Sequence, residues 1–144
     1  MLEMYEVIPK VILLFGLFFI AWFDYQTELI DIRGLLVMAA VGALCLLLQG
    51  EILLLGQALL GMLIGGGILC FAWLSRESVG FGDGWLFVVT GIFLGFLQNF
   101  ILLFGSVFLA GMFAIACLVL KKKGRDDRIA LAPFVLTAYV VFVL

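Results

Sequence analysis

Long apolar runs broken by short polar stretches repeat along the whole chain. The breaks mark six apolar segments, near 8–23, 34–48, 52–74, 85–97, 100–120 and 129–144. Runs such as "VILLFGLFFIAWF" show no apolar–polar alternation, so they predict helices rather than the strands of a transmembrane barrel. A perpendicular span needs about 20 apolar residues. The third and fifth segments meet that length. The shorter ones need polar ends at the interface, tilt or local thinning. The expected architecture is all-α: a polytopic membrane protein of about six transmembrane helices.

Composition agrees with this pattern. Of 144 residues, 67% are hydrophobic and 12% charged, with a mean hydropathy of +1.36. Such a chain lacks the polar shell of a soluble domain. The first apolar run has no basic start and no small-residue cleavage site, and Glu3 and Glu6 precede it. It therefore reads as a membrane segment and not as a cleaved signal. No linker, low-complexity tract or internal repeat divides the chain, which predicts one membrane-embedded domain over 1–144.

Lysine and arginine give an orientation. With the N-terminus outside, the inner loops are 24–33, 75–84 and 121–128. They hold Arg33, Arg76, Lys121, Lys122, Lys123, Arg125 and Arg128, while only Lys10 falls outside. The basic run at 121–128 serves as a topology anchor or meets anionic headgroups. The short outer turns, "QGE" at 49–51 and "QN" at 98–99, predict helical hairpins. Gly61 with Gly65, and Gly91 with Gly95, are small-xxx-small pairs suited to close helix packing. A hinge or a groove for a substrate helix is the alternative use of the third segment's glycines.

With no histidine in the chain, histidine catalysis and histidine metal sites are excluded. The three cysteines are isolated in apolar runs and read as buried free thiols without zinc or redox spacing. No metal, cofactor or nucleic-acid partner is expected.

The candidate chemistry lies in the acids. Glu3, Glu6 and Glu51 fall on the outer side. Asp126 and Asp127 read as capping and dipole partners of the sixth segment. Asp24 ends the first apolar run directly after "FFIAWF", and Asp83 lies in "SVGFGDGWLF" at the start of the fourth. The topology sets both at the same inner edge. A charge at a helix centre costs roughly 2.5–3.5 kcal/mol, less toward the interface. Taken alone, Asp83 reads as a helix cap. Taken with Asp24, it is half of a pair able to share a proton, one acid acting as general base and the other as general acid. Neighbouring glycines let an extended backbone come close.

Gly80-Phe81-Gly82-Asp83, the upstream "AWFDYQTELI" with Asp24, and "APFVLTAYV" at 132–140 together resemble the type IV prepilin peptidases and their archaeal preflagellin relatives. These are GxGD intramembrane aspartyl proteases. The resemblance implies Asp24 and Asp83 as the catalytic pair, with Gly80, Gly82 and Gly84 shaping the loop. It implies removal of a short basic leader from a prepilin-like protein at the cytoplasmic membrane face. Glu28, Asp31 and Glu77 would then attract that leader or remain ordinary solvated charges. Many family members carry a proline in the loop after the first acid. Here the loop reads Ile30-Asp31-Ile32, which makes Asp31 a rival to Asp24. Asp24 is preferred because it ends the apolar run. The cysteine motif of the family's methylating members is missing, so no N-terminal methyltransferase domain is expected. Two other classes compete with the peptidase: a small ion- or proton-coupled transporter using the same acids, and a catalytically inactive membrane subunit. A transporter would more often hold its acids near the midplane.

Overall fold

The computed structural model describes residues 2–27, 29–76, 80–121 and 129–144. All the regular structure there is helical. Helix α1 runs Leu2–Thr27, α2 Ile32–Gln49, α3 Ile52–Leu74, α4 Phe81–Val119 and α5 Ala132–Ala138, which continues as a π-helical turn over Tyr139–Val143.

The α2–α3 connection is the tight turn that "QGE" predicts. Gly50 closes α2 in the left-handed region (φ 64°, ψ 10°) and its N–H donates to Leu46 O. At the other end of α2, Asp31 is the N-cap, and its carboxylate accepts the Arg33 N–H at 3.0 Å. That bond occupies one of the donors a helix start leaves unpaired.

The next hairpin departs from expectation. The chain does not break at Gln98–Asn99 but turns back at Gly95, whose φ of 72° and ψ of −171° interrupt α4. Asn99 is fully buried on the far side of that turn. Its side-chain amide donates to Phe87 O at 2.9 Å and Gly61 O at 3.0 Å, and its Oδ1 accepts the Thr90 hydroxyl at 2.7 Å. In a straight helix, Phe87 and Asn99 would be about 18 Å apart along the axis. Residues 81–94 and 96–119 are therefore antiparallel arms, clasped by a buried amide. Polarity suggested a surface turn at Asn99, but an amide with these partners belongs inside.

Glycine decides how α3 meets α4. A Cβ on Gly61 would stand 2.5 Å from Gly91 O and 2.7 Å from the carbonyl carbon of Gly95. One on Gly65 would overlap Val88 N and come within 2.7 Å of Gly84 O. The predicted small-residue pairs thus bring two backbones into contact, as expected where lipid offers no hydrophobic drive for association. Gly56, Gly66 and Gly67 face open space.

The core joins α1, both arms of α4 and α5 through Leu13, Leu17, Leu86, Leu102, Val135 and Tyr139. Tyr139 is buried, and its hydroxyl donates to Lys10 O at 2.9 Å. The outer surface is apolar too: Phe15, Phe19, Trp22, Leu47 and Trp73 are exposed. Helices apolar on all sides belong in lipid, and α1 to α4 are each long and apolar enough to cross a membrane. The chain is a multi-pass membrane protein. The cysteines are free, as expected. Only Cys117 is buried, while Cys45 is partly covered and Cys70 lies on the exterior of α3, where a thiol can face lipid as a small apolar group.

Candidate active site

Asp24 lies one turn before the end of α1 and is 3% exposed. Its Oδ2 accepts the backbone N–H of Ala132 at 3.1 Å. The start of α5 explains that bond. Pro133 has no N–H, and the Phe134 and Val135 amides both donate to Leu131 O. Ala132 keeps a free first-turn donor, and a buried donor needs a partner. The carboxylate from α1 supplies it. The proline that opens the last helix therefore belongs to the surroundings of Asp24, a link not legible in the sequence.

Asp83 belongs to the first turn of α4 and is partly buried. The cap position itself is taken by Gly80, whose carbonyl accepts the Asp83 N–H at 3.1 Å. The reading of Asp83 as the cap is corrected by three positions. A Cβ on Gly80 would lie 3.1 Å from Asp83 Oδ2, one on Gly82 would press on Ile30 at 2.9 Å, and one on Gly84 would meet Leu69 at 2.6 Å. Each glycine of "GFGDG" thus leaves room for part of the protein itself: the acid's own carboxylate, the α1–α2 connection and α3.

Asp24 and Asp83 are linked through the start of α5: Asp24 is bonded to Ala132, and Leu131, one residue earlier, lines one cavity with Asp83. Beside Asp83 opens a cavity of about 350 Å³. Ile64, Gly67 and Phe71 of α3, Leu103 and Val107 of the second α4 arm, and Leu131 form its walls. Among the described residues, Asp83 is the one ionisable group in this lining. Of its lining, the sequence singles out Asp83 and the glycines of the third segment but not the apolar walls, because they come from separate elements with no shared motif.

Asp31, the rival acid, is engaged at the start of α2 as described. Glu28, Glu77, Asp126 and Asp127 lie outside the described residues. Among the described residues, no three His, Cys, Asp or Glu side chains gather as metal ligands.

No curated protein and no solved structure matches the chain. A family model does, over residues 11–115, a stretch that includes Asp24, the glycine-flanked Asp83 and the Gly95 turn but stops before α5. With nearly three-quarters of the sequence matched and the two acids gathered at one end of a helical membrane bundle, the chain belongs to the type IV leader peptidase family.

Proposed function

We propose that this protein is a membrane aspartyl endopeptidase that removes the short basic leader from prepilin-like precursors, with Asp24 and Asp83 activating water. The precursors would be type IV, Flp/Tad or pseudopilin-like chains. What supports this reading is that Asp24, bonded to Ala132, and Asp83, which shares a cavity lining with the adjacent Leu131, come from helices far apart in sequence to one end of the bundle.

The chemistry needs one acid ionised and the other protonated. The ionised carboxylate takes a proton from water as the water oxygen attacks the scissile carbonyl. The protonated one donates to the carbonyl oxygen, forming a gem-diol. A proton then passes to the amide nitrogen, the C–N bond breaks, and the leader's new carboxyl and the mature chain's amine separate. Gly80, Gly82 and Gly84 let the Asp83 loop pack tightly against its neighbours. Glu28 and Glu77 would attract the basic leader electrostatically.

In this reading the chain crosses the membrane six times, through α1, α2, α3, the two arms of α4, and α5 with its π-helical turn. The N-terminus is outside, and the acids face the cytoplasm with seven of the eight basic residues. Both acids lie at the same end of the bundle, which favours peptidase over transporter.

The test is cleavage of a purified prepilin by the protein in liposomes, beside Asp24→Asn and Asp83→Asn. Loss in both supports the pair. Full activity in either removes that residue from it, and proton flux without cleavage would favour the transporter.

A further inference from the structure

A second cavity opens at the opposite end of the bundle. Its volume is about 500 Å³, and its walls come from α1, α2, α3 and the Gly95 turn. Lys10, which marks this end on α1, and Asp24 are about 21 Å apart along the helix, so the cavity is remote from the acids. The polar lining is Glu6, Lys10, Gln49, Glu51, Gln57 and Gln98.

Three features define what would fit. The Lys10 side chain is partly buried, and among the described residues its ammonium forms no ion pair. Glu51 is the N-cap residue of α3 but makes no side-chain cap bond, so its carboxylate is not spent on the helix. Leu48 and Leu54 also line the cavity, and Leu48 is 74% exposed, so the polar interior opens onto the lipid-facing surface. A soluble ion would have no use for that apolar edge.

From these features we infer that the cavity holds the headgroup of a zwitterionic aminophospholipid. The lipid phosphate sits on the Lys10 ammonium, and the lipid ammonium sits between Glu6 and Glu51. Charge selects this class. Two carboxylates against one ammonium oppose a purely anionic headgroup, and a purely cationic one leaves Lys10 unmatched. Glutamine amides can hydrogen-bond the remaining phosphate oxygens. The acyl chains follow Leu48 onto the outer surface. This inference does not depend on the peptidase reading.

The test is native mass spectrometry of the protein from micelles holding equal phosphatidylethanolamine and phosphatidylglycerol. The expected result is retention of phosphatidylethanolamine by about tenfold over phosphatidylglycerol, the scale of one charge-assisted contact. Glu51→Gln should abolish that preference, and Lys10→Gln should lower retention of both lipids, with helicity by circular dichroism unchanged. Glu51→Gln changes an exposed side chain with no capping role, so it decides the matter even if Lys10→Gln folds poorly. Equal retention of the two lipids overturns the inference, as does a preference unaltered in Glu51→Gln or a total retention unaltered in a folded Lys10→Gln. Binding of soluble O-phosphoethanolamine without any phosphatidylethanolamine overturns the lipid assignment.

Discussion

The Asp24 carboxylate and the Ala132 backbone N–H, 108 positions apart, form a 3.1 Å hydrogen bond. It ties the end of the first helix to the start of the last and fixes one carboxylate oxygen beside the Asp83 loop. If the pair is catalytic, Asp24→Asn and Asp83→Asn will each reduce kcat on a prepilin peptide by about 10²–10⁴-fold. In the Asp24→Asn variant the side-chain amide oxygen can still accept from Ala132, so melting temperature should change little there. Asp31→Asn retains a capping oxygen and should keep full activity, whereas Asp31→Ala should cost about 1 kcal/mol of stability through α2.

The pair also predicts a pH profile. Two interacting carboxyls titrate as a unit, and only the form holding one proton is active. The rate should fall on the acid side as both become protonated and on the alkaline side as both ionise. A profile of kcat/KM against pH in liposomes reads both limbs. A rate independent of pH across the carboxylate range would exclude the pair.

Gly67 offers a test of the cavity beside Asp83. A Cβ there meets nothing within 4 Å and Gly67 lines the cavity, so Gly67→Phe should fold while filling the space. Cleavage should fall by about tenfold or more, since even a single methylene in an apolar pocket is worth about 1–3 kcal/mol. The loss should appear mainly as a raised KM, measured with peptides that keep the substrate's apolar helix.

Asn99 holds the Gly95 hairpin from inside. Asn99→Leu removes its bonds to Gly61 and Phe87 and takes the partner from the Thr90 hydroxyl. The expected cost is about 1–3 kcal/mol, given the modest worth of polar bonds between membrane helices. Unfolding in mixed micelles measures it, and Gln98→Leu, one residue earlier on the cavity wall, should be much milder.

Neighbouring glycines of α3 should diverge. Gly65→Ala forces a methyl group into the Val88 backbone and should separate α3 from α4, lowering folded yield. Gly66→Ala meets nothing within 4 Å and should stabilise the helix by up to about 1 kcal/mol. Thermal melts of the two variants compare a contact glycine with an open one.

Much of this protein follows from local pattern alone. Hydrophobic runs of membrane length dictate helices, because an unpaired backbone group in hydrocarbon costs several kcal/mol. Asp24 and Asp83 are conspicuous as acids at the edges of such runs, and "GFGDG" with Asp24 points to the leader peptidase family. Tertiary contacts decided the rest. Whether a polar pair such as Gln98–Asn99 is a surface turn or a buried clasp depends on whether Gly61 and Phe87 offer their carbonyls, which no local window reveals. The same holds for the glycines beside Asp83, whose open space is filled by Ile30 and Leu69 from other parts of the chain. It holds above all for Asp24, whose partner is the first-turn donor of Ala132 at the far end of the chain. Helix formation is a matter of neighbours along the sequence, but the meeting of two carboxylates depends on how the helices pack.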